Sequence, residues 1–436
     1  MTKGKGGVKG GSAEPAQPLR ILLFSHYFWP ESFRINQVAE DLISAGAEVT
    51  VLTGFPSYPE GRTYPGYRSW RTLRERHPVG YEIMRVPVVP RRRGTAIDLA
   101  CNYLSFLASG IVAGTWLLRG RRFDILFNYC TTPVIQGYVG LWLRFLKGGK
   151  LVLWVQDLWP QALSSTNFVR SPLLLRAVEA AVGALYKRAD LVLGQSRAFV
   201  RHIGRQAGNT PVRYFPNPGE HSRMPGKGAP ELPPSFNIVF AGNLGTVQSM
   251  ESVVEAAGLL RDDSGVQIIL FGSGSRAEWI AREIEDRGLT NLRLGGRLPP
   301  DQMPGLYSQC SALLLTLVDD PVLAQTVPSK LQSYLAAGRP VIAAVNGEAA
   351  DIVAEARCGI TCPAGDPAAL AEAVRRLKAM PAAEREAMGK AGRAYFEAHY
   401  EPELLARQLV GLFDELAEPG SDGKREERAL PAEVER

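Results

Sequence analysis

The chain reads as an α/β protein of two lobes, each built on a doubly wound parallel sheet. Three observations predict this. At 436 residues it is longer than one compact core usually sustains. Short apolar runs alternate with helical patterns, the rhythm of strands joined by crossover helices. That rhythm stops at a Pro/Gly-rich break, Pro216–Pro234, and then begins again.

Taken in order, residues 1–18 are rich in Gly, Lys, Ala and Pro and read as a flexible tail. Residues 19–215 form the first lobe. It opens with the strand RILLFS and a helix near Asn36–Ala45 that Gly46 closes. The strands EVTVLTG, EIMRVPVV, FDILFNY, KLVLWVQD and DLVLGQS follow. Residues 216–395 supply the second lobe through FNIVFAG, VQIILFG, NLRLGG, SALLLTLV and RPVIAAV. Within 396–417 a helix near Glu403–Leu416 comes after every strand has been used, so its face of Leu404, Leu405, Leu409, Leu412 and Phe413 has to bury on something already built and is expected to bridge back. Residues 418–436 read as a second tail.

Leu99–Leu118 carries no charged residue and lies between Arg91–Arg93 and Arg119, Arg121 and Arg122, so by length it matches a bilayer span. Spanning is excluded by topology, because the strands before and after it belong to one sheet. Two alternatives stay open: a helix lying in the membrane interface over anionic headgroups, or a core helix.

Composition narrows the class. With 45% hydrophobic and 22% charged residues the chain is ordinary globular material, neither disordered nor a many-spanning membrane protein. The net charge of +6 is not gathered into a basic stripe with interleaved aromatics, so anionic small ligands or lipid are expected rather than nucleic acid. Five scattered cysteines without a CxxC indicate neither a disulfide framework nor a structural zinc, and an N-terminus without an apolar stretch indicates no secretory signal; a cytoplasmic protein is expected.

In open α/β sheets ligands bind beyond the C-terminal strand ends. FNIVFA is followed by Gly242, Asn243, Leu244 and Gly245, then a helix near Ser249: a loop that lets backbone approach a phosphate, or simply a tight strand-to-helix turn. VQIILF is followed by Gly272 and Gly274, again before a helix. Pro328, Ser329 and Lys330 open the helix that Gly338 closes. Ser329 is the expected N-cap, and a lysine in a first turn opposes the helix dipole unless it meets an anion or turns out to solvent. Arg297 either adds a second cation or pairs on the rim. In the first lobe KLVLWV ends in Gln156 and Asp157, a carboxylate able to take a hydroxyl proton, hold a substrate hydroxyl, or cap the next segment. His26, Glu31 and Arg34 follow the first strand; Glu31 and Arg34 are expected to line the substrate, and His26 either lines it or packs in the core. GxSxG, P-loop, HExxH and DxD patterns are all absent from the sequence, which removes hydrolase-elbow, NTPase, zincin and metal-diphosphate readings.

The chain resembles family-4 glycosyltransferases of the GT-B fold over Leu19–Leu416. The likeness is carried by HYFWPE, WVQDLWP, AGNLGTVQSMESVVEAA, LFGSGSR, LGGRLPPDQMPGLYSQCSALLL, PSKLQSYLAAGRPVIA and GEAADIV, and within the family it is similar to bacterial O-antigen and colanic-acid fucosamine-transferase-like enzymes. The resemblance implies sugar transfer from a nucleotide diphosphate donor across a cleft, usually with retention and without an essential metal or other cofactor. A UDP-linked donor is expected, an N-acetylated amino sugar among its candidates. The implied acceptor is a polyprenyl-diphosphate-linked saccharide in surface polysaccharide biosynthesis, on the inner face of the cytoplasmic membrane. The donor would lie against Gly242–Gly245, Pro328–Lys330 and Arg297. The family's glutamate pair falls here on Gln325 and Ser333, its loop lysine on Gln248, and its strand-end histidine on Gln156, so Lys330 and Asp157 inherit the phosphate and acceptor roles. A GT-B sugar-nucleotide epimerase and a non-catalytic nucleotide-sugar-binding protein of a polysaccharide assembly complex are the rival readings.

Overall fold

A computed structural model describes residues 17–161, 171–220 and 228–418. Apart from residues 17, 18 and 418, the two tails read from the sequence lie outside the described residues. The first lobe runs β1 (Arg20–Ser25), α1 (Arg34–Ser44), β2 (Glu48–Thr53), β3 (Leu73–Arg76), β4 (Glu82–Arg85), α2 (Ala96–Leu117), β5 (Ile125–Cys130), α3 (Gly137–Lys147), β6 (Lys150–Val155), α4 (Pro172–Tyr186), β7 (Leu191–Gly194), α5 (Arg197–Ala207) and β8 (Val212–Tyr214). Its sheet has the order β3-β4-β2-β1-β5-β6-β7-β8, parallel except for β3.

The second lobe runs β9 (Phe236–Ala241), α6 (Met250–Leu259), β10 (Val266–Phe271), α7 (Ala277–Arg287), β11 (Leu292–Gly296), α8 (Met303–Tyr307), β12 (Ala312–Thr316), α9 (Ser329–Ala337), β13 (Val341–Ala344), α10 (Glu348–Glu355), β14 (Gly359–Cys362), α11 (Pro367–Ala379) and α12 (Ala382–His399). Its six strands are all parallel, in the order β11-β10-β9-β12-β13-β14. A last helix, α13 (Pro402–Ala417), follows.

Both sheets are covered on two faces, which is why their strands read as near-continuous apolar runs. On β1, Leu22 and Phe24 pack beneath α2, α3 and α4, whereas Ile21 and Leu23 pack beneath α1. The second of these faces is completed by Leu405, Leu409 and Phe413 of α13, with the Phe413 ring 5.1 Å from that of Phe127. The last helix of the chain thus closes the core of the first lobe.

Three strands were not read from the sequence. β3 is LRER, an antiparallel edge whose Arg74 and Arg76 are exposed while Glu75 pairs with buried Arg85; β8 has three residues; β14 is the short edge of the second sheet. The run EIMRVPVV also stops sooner than its apolar length suggests. Val86 N makes a last bond to Thr53 O at 2.9 Å, and Pro87 has no N–H to continue the ladder.

α2 starts on a capping box between Thr95 and Asp98. One face, with Leu99, Tyr103, Phe106 and Leu117, is core. Gly110 lies against α3, where an added Cβ would come within 2.9 Å of Val139. The opposite face is open: Ile97 is 76% exposed, Val112 73% and Trp116 63%. The core alternative therefore accounts for only half of the helix. Trp142 of α3 donates to Thr115 of α2 at 2.9 Å, and Tyr138 donates to Ala181 O of α4 at 2.8 Å. Beside the open face of α2, α3 presents exposed Trp142, Phe145 and Leu146, and α4 exposes Leu173 and Leu174.

Candidate active site

The second lobe gathers its strand-end loops into one cradle. Gly242 N donates to Phe271 O at 2.9 Å, Leu244 N to Ser273 O at 2.8 Å, and Gly272 N to Gly296 O at 2.8 Å, so the loops after β9, β10 and β11 lie side by side. Gly242 (φ +145°) and Gly272 (φ +140°) hold backbone conformations that other residues rarely adopt. A Cβ on Gly272 would strike the Gly242 carbonyl, and one on Gly242 would strike the Lys330 side chain. Only glycine permits this stack. Gly274 is likewise pressed onto Leu244 and Asn243, while Gln248 folds back so that its Oε1 accepts Gly245 N at 3.1 Å.

Lys330 reaches over this cradle from the first turn of α9. Its Nζ sits 3.8 Å from the centre of the Phe240 ring, and among the described residues it pairs with no carboxylate. Burial pushes its pKa down to about 7. A desolvated ammonium above glycine backbone is a site prepared for an anion. Pro328, not the expected Ser329, is the N-cap of α9: Ser329 is the first helical residue and makes no capping hydrogen bond, because the fixed φ of Pro328 (−63°) already sets the entry. Arg297 follows Gly296 at the edge of the cradle and is exposed. Gln325 is drawn elsewhere: its Nε2 donates to Pro321 O at 2.9 Å, and its backbone carbonyl accepts the Oγ of Ser196, the N-cap of α5, at 2.6 Å. Ser333 bonds back to Ser329 O along the helix at 3.4 Å.

On the first lobe, Asp157 Oδ2 accepts Thr132 N at 3.0 Å and Thr132 Oγ1 at 2.9 Å. Burial raises its pKa, and the two Thr132 bonds oppose that. His26 is buried among Tyr27, Tyr103 and Phe106 with Nδ1 unpartnered; burial, reinforced by the Arg91 charge, lowers its pKa to about 3, so the imidazole is neutral. Glu31 is only 2% exposed and is occupied by the protein itself: Oε1 accepts Ser57 N and Tyr58 N at 2.7 Å each, and Oε2 accepts Phe28 N at 3.3 Å. Arg34 donates to Pro218 O, tying α1 to the segment between the lobes.

That segment carries a residue the sequence reading passed over. Asn217 Nδ2 donates to Gln156 Oε1 at 2.7 Å and to Gln195 Oε1 at 3.3 Å, both on the first lobe. Its carbonyl accepts Gln332 Nε2 of α9 at 2.8 Å. The neighbour of Asp157 and the helix of Lys330 are thereby joined through one asparagine. Glu348 adds a second bridge, its carboxylate accepting Ala198 N at 2.6 Å and Arg197 N at 3.3 Å at the start of α5. Phe240, Asn217 and Glu348 sit in a strand interior, a Pro-rich break and an ordinary helix start. Nothing in their local pattern marks them.

Residues 235–379 match the family described as "Glycosyl transferases group 1", and residues 32–218 match the "Glycosyl transferase 4-like domain". The chain is 25% identical over 316 residues to WbjE of Pseudomonas aeruginosa, named a probable glycosyltransferase, covering 69% of this chain and 76% of that one. It is 25% identical over 419 residues to WcaI of Escherichia coli K12, whose name places it in colanic acid biosynthesis as a glycosyl transferase, covering 90% of this chain and 99% of the other. Among solved structures, the fold is shared with a sucrose-phosphate synthase from Thermosynechococcus elongatus (TM-score 0.67, 19% identity, 91% and 99% of the two chains). It is shared also with Anabaena HepE in complex with UDP (TM-score 0.64, 15% identity, 91% and 100%).

Proposed function

The chain belongs to the group 1 glycosyltransferases and has the GT-B fold, and on that premise we propose that it transfers a sugar from a UDP-linked donor to a lipid-linked saccharide acceptor in surface polysaccharide assembly. The observation that carries this reading is Lys330, an unpaired, desolvated cation lying on the Gly242 backbone. The bound UDP of HepE, and the colanic-acid role in the name of WcaI, support the donor and acceptor classes.

In this reading the donor diphosphate settles on the Gly242–Gly245 and Gly272–Gly274 backbone, and Lys330 faces the oxygens on which charge builds as the sugar leaves. A preorganised cation there contributes to leaving-group departure in a way that bulk water cannot. Arg297 stands at the cradle's edge, towards the base. Across the cleft, Thr132 occupies one oxygen of Asp157 and leaves the other to hold the acceptor hydroxyl or take its proton. Transfer is proposed to proceed with retention and without a metal, Lys330 supplying the charge that a metal would otherwise bring. Among the described residues no group of three or more His, Cys, Asp and Glu is placed to hold an ion. The enzyme is proposed to work at the cytoplasmic face of the membrane, resting on the open apolar side of α2.

The test is turnover. UDP-, GDP- and dTDP-sugars are incubated with the protein, with and without a polyprenyl-diphosphate-linked saccharide and with and without EDTA. One UDP-sugar should be consumed in an acceptor-dependent, EDTA-resistant way, and Lys330→Ala should lower the rate by about two orders of magnitude or more. A Lys330→Ala rate near that of the wild type removes the lysine from the site; abolition by EDTA with rescue by magnesium or manganese overturns the metal-free reading.

A further inference from the structure

Arg91 lies shortly before α2 in the chain, against the loops that follow β1 and β2. Its guanidinium carbon lies 5.9 Å from the centre of the Tyr27 ring and 5.8 Å from that of Tyr58, and among the described residues it pairs with no carboxylate. From Tyr27 a run of rings leads inward: His26 at 4.4 Å, then Tyr103 at 6.1 Å from His26, then Trp159 at 6.4 Å from Tyr103. The charges of Arg91 and Asp157 both act on the Tyr103 phenol, in opposite senses. In the other direction, a few residues along the chain, Ile97 opens the exposed apolar strip of α2.

The position of Arg91 is enforced. Its neighbour Arg92 has φ +50°, a left-handed conformation that an arginine adopts only under constraint. The constraint is a chain of hydrogen bonds rooted in Glu31. The carboxylate accepts Ser57 N at 2.7 Å, Ser57 O accepts Gly61 N at 2.7 Å, and Gly61 O accepts Arg92 N at 2.8 Å. Gly61 packs so tightly here that an added Cβ would run into the Arg92 carbonyl. The buried glutamate at the first strand end thus acts as a positioning residue for a cation it does not touch.

We propose that Arg91, seated on Tyr27 and Tyr58 and held by the Glu31–Ser57–Gly61–Arg92 chain, binds the diphosphate of a prenyl-diphosphate-linked acceptor, whose sugar lies along the ring run towards Asp157. This deepens the proposed function and rests on it. A guanidinium seated on two tyrosine rings and, among the described residues, without an acidic partner offers donors suited to phosphate oxygens, and its place between the exposed apolar side of α2 and the ring run towards Asp157 matches a ligand that is lipid on one side and sugar on the other. The shared chemistry with an ordinary anionic headgroup is a phosphate oxygen, so the test has to tell the two sources apart.

Farnesyl diphosphate below its aggregation threshold, without membranes and with UDP saturating, is titrated by calorimetry into wild type, Arg91→Ala, Arg91→Lys and Arg93→Ala. Flotation with phosphatidylglycerol vesicles and a thermal melt are recorded for each. The expectation is at least tenfold weaker farnesyl diphosphate binding in Arg91→Ala, partial recovery in Arg91→Lys, no change in Arg93→Ala, and unchanged UDP binding, melting and flotation. Glu31→Ala should weaken farnesyl diphosphate binding as Arg91→Ala does. Wild-type-like binding by Arg91→Ala overturns the inference; so does a fall in flotation that matches the fall in binding, which makes Arg91 a headgroup contact. Failure of wild type to bind UDP strikes the proposed function, whereas normal UDP binding without farnesyl diphosphate binding strikes only this inference.

Discussion

Lys330 is a residue the fold holds against its own preference. An ordinary lysine titrates near 10.5; here burial over Phe240 lowers that to about 7. Between those values the unfolded chain carries a proton that the native chain lacks, so the lysine's penalty is full below pH 7, shrinks as pH rises and vanishes above about 10.5. Lys330→Met should therefore raise the melting temperature of the free protein at pH 6–7 and have little effect near pH 10. Equal melting temperatures at neutral pH would mean the ammonium is solvated after all. The same displacement makes diphosphate binding take up a proton near pH 8, seen as binding heats that vary with the ionisation enthalpy of the buffer in wild type but not in Lys330→Met. His26, held neutral down to about pH 3, should contribute nothing to a pH–rate profile between 5 and 9. Lys330 was legible from the sequence as a cation misplaced in a first turn. Its seat was not, because Phe240 and Gly242 reach it through the sheet. Glu31 and Arg34 were legible as strand-end residues, but whether such a residue faces a substrate or braces a loop depends on backbone partners, Ser57 and Pro218, that no local pattern announces.

Among the elements, α2 and α3 form a common surface. Phe145 is 82% exposed, next to the open side of α2, and the rim carries Arg119, Arg122 and Lys147. An apolar patch rimmed by cations suits an anionic bilayer, each cation contributing about 1 kcal/mol near the surface. Val112→Glu with Phe145→Glu should give a protein that melts cooperatively like wild type but no longer floats with anionic vesicles, while Phe106→Glu, which buries a charge in the core, should lose the cooperative melt. Flotation of the double variant at the wild-type level would refute the membrane surface. The uncharged stretch of α2 was visible in the sequence, down to its flanking arginines. The contribution of α3 was hidden, since GYVGLWLRFLK reads as an ordinary crossover helix until the Gly110–Val139 contact sets its outer side beside that of α2. β3 escaped for the opposite reason: a charged antiparallel edge strand lacks the apolar run by which its parallel neighbours are recognised.

At the scale of the whole molecule, the two sheets were legible because buried parallel strands leave long apolar runs, and the Pro/Gly-rich break marked the change of lobe. How the lobes hold each other was not, as the joining groups are single polar residues, Asn217, Glu348 and Ser196, drawn together only by the fold. Leu405, Leu409 and Phe413 bury into the first lobe and not the second. Phe413→Ala should therefore cost about 3–5 kcal/mol in urea unfolding of the first lobe, yet leave nucleotide binding by the second lobe intact at low urea. Parallel loss of both would show that the lobes unfold as one unit. The same helix sets an order of events during synthesis. The strands of the first lobe leave the ribosome first, but Phe127 on β5, against which Phe413 packs, stays without that cover until residues beyond 402 emerge. At roughly 5–20 residues per second that wait lasts on the order of ten to forty seconds, with the outer side of Phe127 and its neighbour Trp154 open to solvent throughout. A chain stalled or cut short before residue 402 accordingly meets chaperones and proteases with an unsealed first lobe, however complete the second has become.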